Sequence, residues 1–425
     1  MRWLLIGAVA LRVAAAVLLV AGPWTNEAEE LVGWDVARFQ ALADESGRHW
    51  VDHPVEYPPG SVILIEAVAS SGVVETHRTL AATSLAIDLG VAAVLGALTG
   101  RRAAATYLLI GLPLVPMGLV RFDLWSVAAA VLAVAALRQR RSGAFAALTA
   151  IGALIKVWPA LLVAVSVSLG RRAATVAAIA ALLLAGAGWL AYGGWSLDPI
   201  DQVLSLRGAT GWHVESFGGN LTALTTDEGP ERQLDAFRIG RLDDRIVTAG
   251  RALTVAAVGL LVVLGRRASR HGRPVGTKSA MTEAGGDDLD LEVVALVMLG
   301  STAVLLVTAP LLSPQFLLWL TPWAALLPLH RSRPALPVML TGGATTLTGG
   351  VLALYGPPRL AETVPALVLL VRNGLLAATV VAAIVAIADL GRPEDPLGHR
   401  SARPRPARAE AEVDEVTEEP GRLTG

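Results

Sequence analysis

Apolar windows of about 18 or more residues recur along this chain, separated by short turns that carry arginines, and they constrain the fold more than any other feature. Inside a bilayer every backbone N–H and C=O needs a partner within the protein, so windows of this kind fold as helices. The chain has 425 residues, is 54% hydrophobic and carries a net charge of -1, with a mean hydropathy of +0.56. That hydropathy excludes a soluble globule, and the near-zero net charge implies no nucleic-acid partner. The absence of cysteine excludes disulfides, thiolate metal sites and cysteine nucleophiles. The expected class is an all-α, polytopic integral membrane protein.

Met1–Ala21 starts basic and runs apolar, but Arg12 interrupts it and no small-residue cleavage site stands out, so it reads as an uncleaved first helix. Further spans are expected near 79–98, 103–120, 124–137, 142–155, 157–169, 173–192, 247–265, 291–309, 315–329, 335–354 and 363–388. At ~1.5 Å per residue, those over 124–137, 142–155 and 157–169 fall short of a ~30 Å core, as helices lining a cavity can. Pro58–Val74 is apolar too, yet it contains Glu66, Ser70 and Ser71 and opens on Pro-Pro-Gly.

Basic clusters stand at Arg101-Arg102, Arg138 to Arg141, Arg171-Arg172, Arg266-Arg267 with Arg270 and Arg273, and Arg331 with Arg333. If Pro58–Val74 does not cross, all of them lie on the side of Arg2, as the positive-inside rule asks. That segment therefore reads as re-entrant or interfacial, giving about twelve spans with both termini in the cytoplasm. The expected organisation is a membrane domain over 1–388, with outer loops 22–78 and 193–246 and a cytoplasmic loop 266–290. A disordered cytoplasmic tail over 389–425, rich in Pro, Arg and Glu, would follow.

On this topology the chemistry-bearing residues gather on the outer face. Asp35, after Trp34 at the membrane boundary, is a partly desolvated carboxylate suited to general-base work; the plain alternative is a solvated acid paired with Arg38. Arg121-Phe122-Asp123 interrupts an apolar stretch, where charges pair or line water-filled cavities. Lys156, next to Trp158, stands out because Lys278 is the only other lysine. It can contact a lipid phosphate as a point charge, or merely snorkel. In the long outer loop, Arg207 can clamp a phosphate. Glu215 can orient Arg207 or touch a sugar hydroxyl, and His213 can act as an acid or simply hydrogen-bond. Asp88 lies inside a span and is either protonated or paired with a charge such as Arg121.

Four places then carry a resemblance. Asp35 has an aromatic residue four positions on and is followed by Tyr57-Pro58-Pro59. Arg121-Phe122-Asp123 is followed by Arg138 to Arg141 and Lys156-Val157-Trp158-Pro159. Arg207-Gly208 leads to Glu215-Ser216. Ser313-Pro314-Gln315 opens a later turn that runs to Trp319. In this order and spacing the set resembles the GT-C superfamily of polyprenyl-phosphate-sugar-dependent glycosyltransferases, and within it glycosyltransferase family 87, the polyprenyl-phosphate-mannose-dependent alpha-mannosyltransferases. The resemblance covers most of residues 30–325. It departs at Phe39, where the family often has Tyr.

The resemblance implies a GT-C-like fold and an inverting hexosyltransferase of the plasma membrane, with its site on the outer face. Asp35 is the implied base and Lys156 and Arg207 are the implied donor-phosphate contacts. Arg38, Tyr57, Arg121, Asp123, Glu215 and Gln315 are the expected supporting residues. The implied partners are a polyprenyl-phosphate sugar donor, an envelope glycolipid or polysaccharide acceptor, and the bilayer. No cofactor is required, although Asp35 with Glu56 could contribute ligands to a divalent metal. The competing reading is a secondary transporter or lipid flippase working through Asp88 and Asp123, with Glu66 as a further intramembrane acid.

Overall fold

The computed structural model describes residues 2–21, 34–45, 49–69, 72–205, 208–233, 236–271, 282–329, 332–356 and 359–392. The tail beyond Arg392 lies outside them, as does Arg207.

Helices dominate. In chain order they are α1 (Arg2–Ala21), α2 (Trp34–Asp44), α3 (Pro59–Val68), α4 (Val73–Thr99), α5 (Arg101–Ile110), α6 (Val115–Gly118), α7 (Asp123–Arg138), α8 (Ser142–Ile155), α9 (Leu162–Ser168), α10 (Arg172–Tyr192), α11 (Asp198–Leu204), α12 (Phe217–Thr225), α13 (Asp244–His271), α14 (Thr282–Thr308), α15 (Thr321–Ala325), α16 (Ser332–Tyr355) and α17 (Thr363–Leu390). Single 3-10 turns precede α6, α9 and α15, over Leu112–Leu114, Trp158–Leu161 and Pro314–Trp319.

Among the described residues, 7 helices are long and apolar enough to cross a membrane: α1, α4, α10, α13, α14, α16 and α17. The protein is an α-helical membrane protein. The expected spans at 103–120, 157–169 and 315–329 are not continuous helices. Prolines 113, 116, 159, 314 and 322 fall at their breaks, each removing a backbone donor and fixing its own φ. Leu112–Gly118 and α7 meet at a bend of 116°, and Arg121 and Phe122 occupy that corner.

α3 has 10 residues, hence ~15 Å, half of what a crossing needs. Pro58 is extended and Pro59 is pre-set for the first turn, so the helix starts there. Gly60 then rests on the Leu154 carbonyl, where a Cβ would come within 2.7 Å, and Ser61 Oγ donates to Ile155 O at 2.6 Å. The amino end of α3 is thereby fixed to the end of α8.

Small residues let the central helices approach closely, the usual route to packing in lipid. A Cβ on Gly152 of α8 would sit 3.3 Å from that of Ala129 on α7. Buried threonines bond back to carbonyls of their own helices, as Thr149 does to Phe145 and Thr348 to Ala344, so few hydroxyls need partners across the bundle. α7 runs from Asp123 to Arg138, whose guanidinium donates to the Leu98 carbonyl at the far end of α4. α8 returns from Ser142 to Ile155, and Trp158 Nε1 donates to Ser126 Oγ at 3.0 Å. Arg121, Asp123 and Lys156 are thus at one end of this pair and Arg138, Arg140 and Arg141 at the other.

The segments between helices at the Asp35 end carry structure of their own. Phe39, Leu42, Trp50, Val55, Val62, Ile65 and Phe122 form a separate apolar cluster that seats α2 and α3 on the helix ends. Phe39 is buried edge-on to Tyr57 and Phe122, at 5.7 and 5.1 Å between ring centres, and brings no polar atom into that packing. In the loop over 193–246 there is a small antiparallel sheet, β1 (Trp212–His213), β2 (Glu231–Gln233) and β3 (Ala236–Ile239), ordered β1-β3-β2. Trp212 faces Ile239 and Glu231 faces Arg238. Strands this short leave almost no alternation for the sequence to show. His213 N donates to Pro310 O at 3.1 Å, which ties the sheet to the turn before Ser313.

Candidate functional site

Asp35 occupies the first turn of α2, where backbone N–H groups favour a negative charge. Its carboxylate is paired with Arg121. The aspartate side chain is 30% exposed and the arginine 15%, so the pair is reachable from outside. Arg121 Nη1 also donates to Ser313 Oγ at 3.1 Å, and Ser313 Oγ donates to Gln315 Oε1 at 2.7 Å. One guanidinium at the α6–α7 corner therefore joins the start of α2 to the turn before α15. A planar fork of donors suits that bridging role better than a lysine would.

Arg121 and Asp123 do not neutralise each other. Asp123, buried at the start of α7, accepts from Trp319 Nε1 at 2.7 Å. Arg38 does not hold Asp35 either; it donates to Glu45 at 3.3 Å, to Glu56 at 3.5 Å and to the Pro54 carbonyl at 3.2 Å. It braces the loop that follows α2 and leaves Asp35 to Arg121.

Lys156 directly follows α8, with its ammonium 5.1 Å from the ring centre of Tyr57 and 5.8 Å from that of Phe316. No carboxylate among the described residues pairs with it. Cation–π contacts of this kind are worth about 0.5–2 kcal/mol and leave the charge able to meet an anion. Phe316 stacks on Trp319 at 4.4 Å and Trp319 on Trp158 at 5.5 Å, an aromatic floor beside the lysine. Burial and the nearby Glu56 and Asp35 charges push the Tyr57 phenol up, so it remains a neutral hydroxyl.

Glu215 belongs to the same neighbourhood but is fully enclosed. Ser216 caps α12 by accepting from Gly219 N at 3.0 Å, and its hydroxyl donates to His213 O at 2.8 Å. Gly218 and Gly219 lie so close to Trp212 and the His213 carbonyl that any Cβ would overlap them. Asn220 Nδ2 donates to Val214 O at 2.6 Å. From α17, Arg372 Nη2 donates to the Glu215 carbonyl at 2.6 Å and Asn373 Nδ2 to Asn220 Oδ1 at 2.7 Å. The Glu215 carboxylate lies 3.8 Å from Arg372, too far for a hydrogen bond, and its Oε2 is unpartnered, as are Nε and Nη1 of Arg372.

Burial raises the Glu215 carboxyl from 4.5 to about 7, against the pull of Arg372 and Arg121. Burial, with the Arg238, Arg372 and Arg121 charges, lowers His213 from 6.5 to about 3. A histidine so held is neutral; its Nδ1 accepts from Glu215 N at 3.3 Å, and it has no proton to give as an acid near neutrality. Arg372 is the residue that sequence reasoning passed over. Its signal was a charge in the middle of an apolar run of α17, far from Asp389 at the helix end, and such a charge marks a buried partner or a site.

Asp35, Tyr57, Arg121, Asp123, Lys156 and Gln315 therefore come together, with Arg38 behind them and Glu215 within reach of the Arg121 charge. Arg207 lies outside the described residues. Asp88 does not join the group, and its partner is Arg12 rather than Arg121. Arg12 and Tyr107 both hydrogen-bond its carboxylate, and Arg12 Nη2 also donates to Leu108 O at 3.0 Å. Glu66 meets His49 at 3.1 Å. Among the described residues no group of three or more His, Cys, Asp or Glu could hold a metal ion. No protein-family model and no curated protein matches the chain.

Proposed function

We propose that this protein is a membrane glycosyltransferase that moves a mannosyl or related sugar from a polyprenyl-phosphate donor to an envelope glycolipid or polysaccharide. The observation that carries the reading is the bridged pair of Asp35 and Arg121, with Lys156 free of any described carboxylate beside it. A base within reach of solvent, two cations and an aromatic floor are what such a transfer requires.

In this mechanism the donor's phosphate takes the place of Asp35 at Arg121 and meets Lys156, while its prenyl chain runs past the half-buried Phe316. Asp35, released from its ion pair, accepts the proton of the acceptor hydroxyl. The hydroxyl oxygen attacks the anomeric carbon, the bond from that carbon to the phosphate oxygen breaks on the opposite face, and the electron pair leaves with the phosphate. The configuration inverts. Arg207 is proposed as a further phosphate contact, and the Ser313–Gln315 turn holds Arg121 in place. The short and broken helices complete about twelve crossings of the plasma membrane, with the arginine clusters inside and the site outside.

The transport reading has less behind it. Both carboxylate oxygens of buried Asp88 are engaged, by Arg12 and by Tyr107, and buried Asp123 accepts from Trp319, so each has a partner within the bundle. The test is transfer of labelled mannose from polyprenyl-phosphate-mannose to envelope lipids by membranes containing this chain, with Asp35→Asn as comparison. Loss of transfer at normal protein levels is expected. Full activity in the variant removes Asp35 as the base, and activity from no lipid-phosphate sugar removes the transferase reading.

A further inference from the structure

At the end of the bundle opposite Asp35, α9, α10 and α13 enclose a crevice of about 550 Å³. Its rim is built from arginines on two helices, Arg172 at the start of α10 and Arg266, Arg267 and Arg270 near the end of α13. Among the described residues no acidic one lines it. Its wall is apolar, and Val176 and Val263, which belong to helices long and apolar enough to cross a membrane, are exposed there.

The crevice has a local cause. Gly170 is left-handed, at φ +67, between α9 and α10, and a side chain there would overlap the Arg266 guanidinium. With glycine in place, Arg266 lies across the helix break and its Nη1 donates to the Val167 carbonyl at 3.5 Å, which holds the charge over the opening.

We infer that this crevice binds an anionic phospholipid of the cytoplasmic leaflet, with its phosphate among Arg172, Arg266 and Arg270 and an acyl chain along Val176 and Val263. A cationic rim over an exposed apolar wall matches a molecule that is anionic at one end and hydrocarbon at the other. Basic pockets between membrane helices on the cytoplasmic side bind acidic headgroups in this way. A nucleotide or sugar phosphate finds a largely apolar wall here, and a zwitterionic lipid brings no net negative charge to Arg172, Arg266 and Arg270. The inference does not depend on the transferase reading, because no residue of the Asp35 site takes part in it.

The experiment uses the full chain purified in detergent and measures its binding to vesicles of phosphatidylglycerol, to vesicles of phosphatidylcholine and to inorganic phosphate. It compares wild type with Arg172→Gln/Arg270→Gln, with Arg172→Lys/Arg270→Lys and with Arg101→Gln/Arg102→Gln, which removes the same charge from the same end outside the crevice. Expected is a preference for phosphatidylglycerol that weakens about fivefold per arginine removed, roughly 25-fold for the crevice double variant. The lysine variant stays within a few fold of wild type, which shows that the double variant's loss is one of charge and not of folding. The control pair is unchanged. Equal binding of both lipids overturns the inference, as does an equal loss in the control pair or inorganic phosphate competing as well as the lipid. An unaltered lipid preference in the glutamine variant overturns it too.

Discussion

Two aspartates in this protein each meet an arginine from a distant segment: Asp35 with Arg121, and Asp88 with Arg12. The residue types are the same and the surroundings are opposite. Asp88 and Arg12 are 0% and 1% exposed, Tyr107 takes a second carboxylate oxygen, and Leu108 O takes a second guanidinium nitrogen. The inner pair ties α1, α4 and α5 together and has little left to offer a ligand. Asp35 and Arg121 are 30% and 15% exposed, sit where helices begin or break, and are surrounded by groups that can rearrange: a hydroxyl, an amide and a lysine held only by aromatic faces. A salt bridge by itself is therefore no guide to function; the supply of further partners and access to solvent distinguish a fastening from a site.

The sharpest break of this comparison is Asp35→Asn against Asp88→Leu. Removing a positioned base costs about 100- to 10,000-fold in rate. Asp35→Asn should lose transfer by that order while unfolding at the wild-type temperature, measured by activity and thermal unfolding in detergent. An active Asp35→Asn would merge the two pairs into one structural class.

Asp88→Leu should do the reverse. Leaving Arg12 buried without its partner costs about 3–5 kcal/mol, whereas replacing both by apolar residues is often close to neutral. Expected are a large drop in unfolding temperature for Asp88→Leu, recovery of most of it in Arg12→Leu/Asp88→Leu, and unchanged activity per folded molecule. A double variant as unstable as the single one would show that the inner pair does more than satisfy itself.

Arg121→Lys sharpens the outer side. It keeps the charge but cannot serve Asp35 and Ser313 together, so a roughly tenfold or greater loss of transfer is expected from the imposed misplacement. Steady-state kinetics with varied donor should show the loss in donor KM as well as in kcat.

Glu215 adds a pH signature. Its carboxyl titrates near 7 in the folded protein and near 4.5 when unfolded. Below pH 4.5 it is neutral in both states. As pH rises toward 7 the unfolded chain releases a proton that the folded one keeps, so stability contributed at low pH is lost across that window. The unfolding temperature should therefore fall between pH 5 and pH 8, and Glu215→Gln should flatten that fall; an identical slope in the variant would assign the titration elsewhere. The smallest effect is expected of Tyr57→Phe, which removes the hydroxyl and retains the ring under Lys156. Transfer within about threefold of wild type is predicted, because the aromatic face supplies the contact.

Much of this was legible in the chain itself. Apolar length and arginine placement define a helical membrane protein and separate a basic end from a polar one, since both follow from transfer energies that act residue by residue. Asp35, Arg121, Asp123 and Lys156 were recognisable for the same reason: each is a charge at or inside an apolar run. Proline and glycine at 58–60 announced the short α3.

Which charge meets which partner was a matter for the tertiary structure. Arg12 looked like a flaw in the first helix until α4 brought Asp88 to it. Arg372 gained meaning only when the loop over 193–246 folded Glu215 onto α17. The paired sheet, the neutral His213 and the arginine-rimmed crevice depend on contacts between residues far apart in sequence, and no local preference encodes them. Hydrophobicity is a property of each residue and sums along the chain, whereas burial and pairing are properties of neighbours, and only the folded chain supplies those.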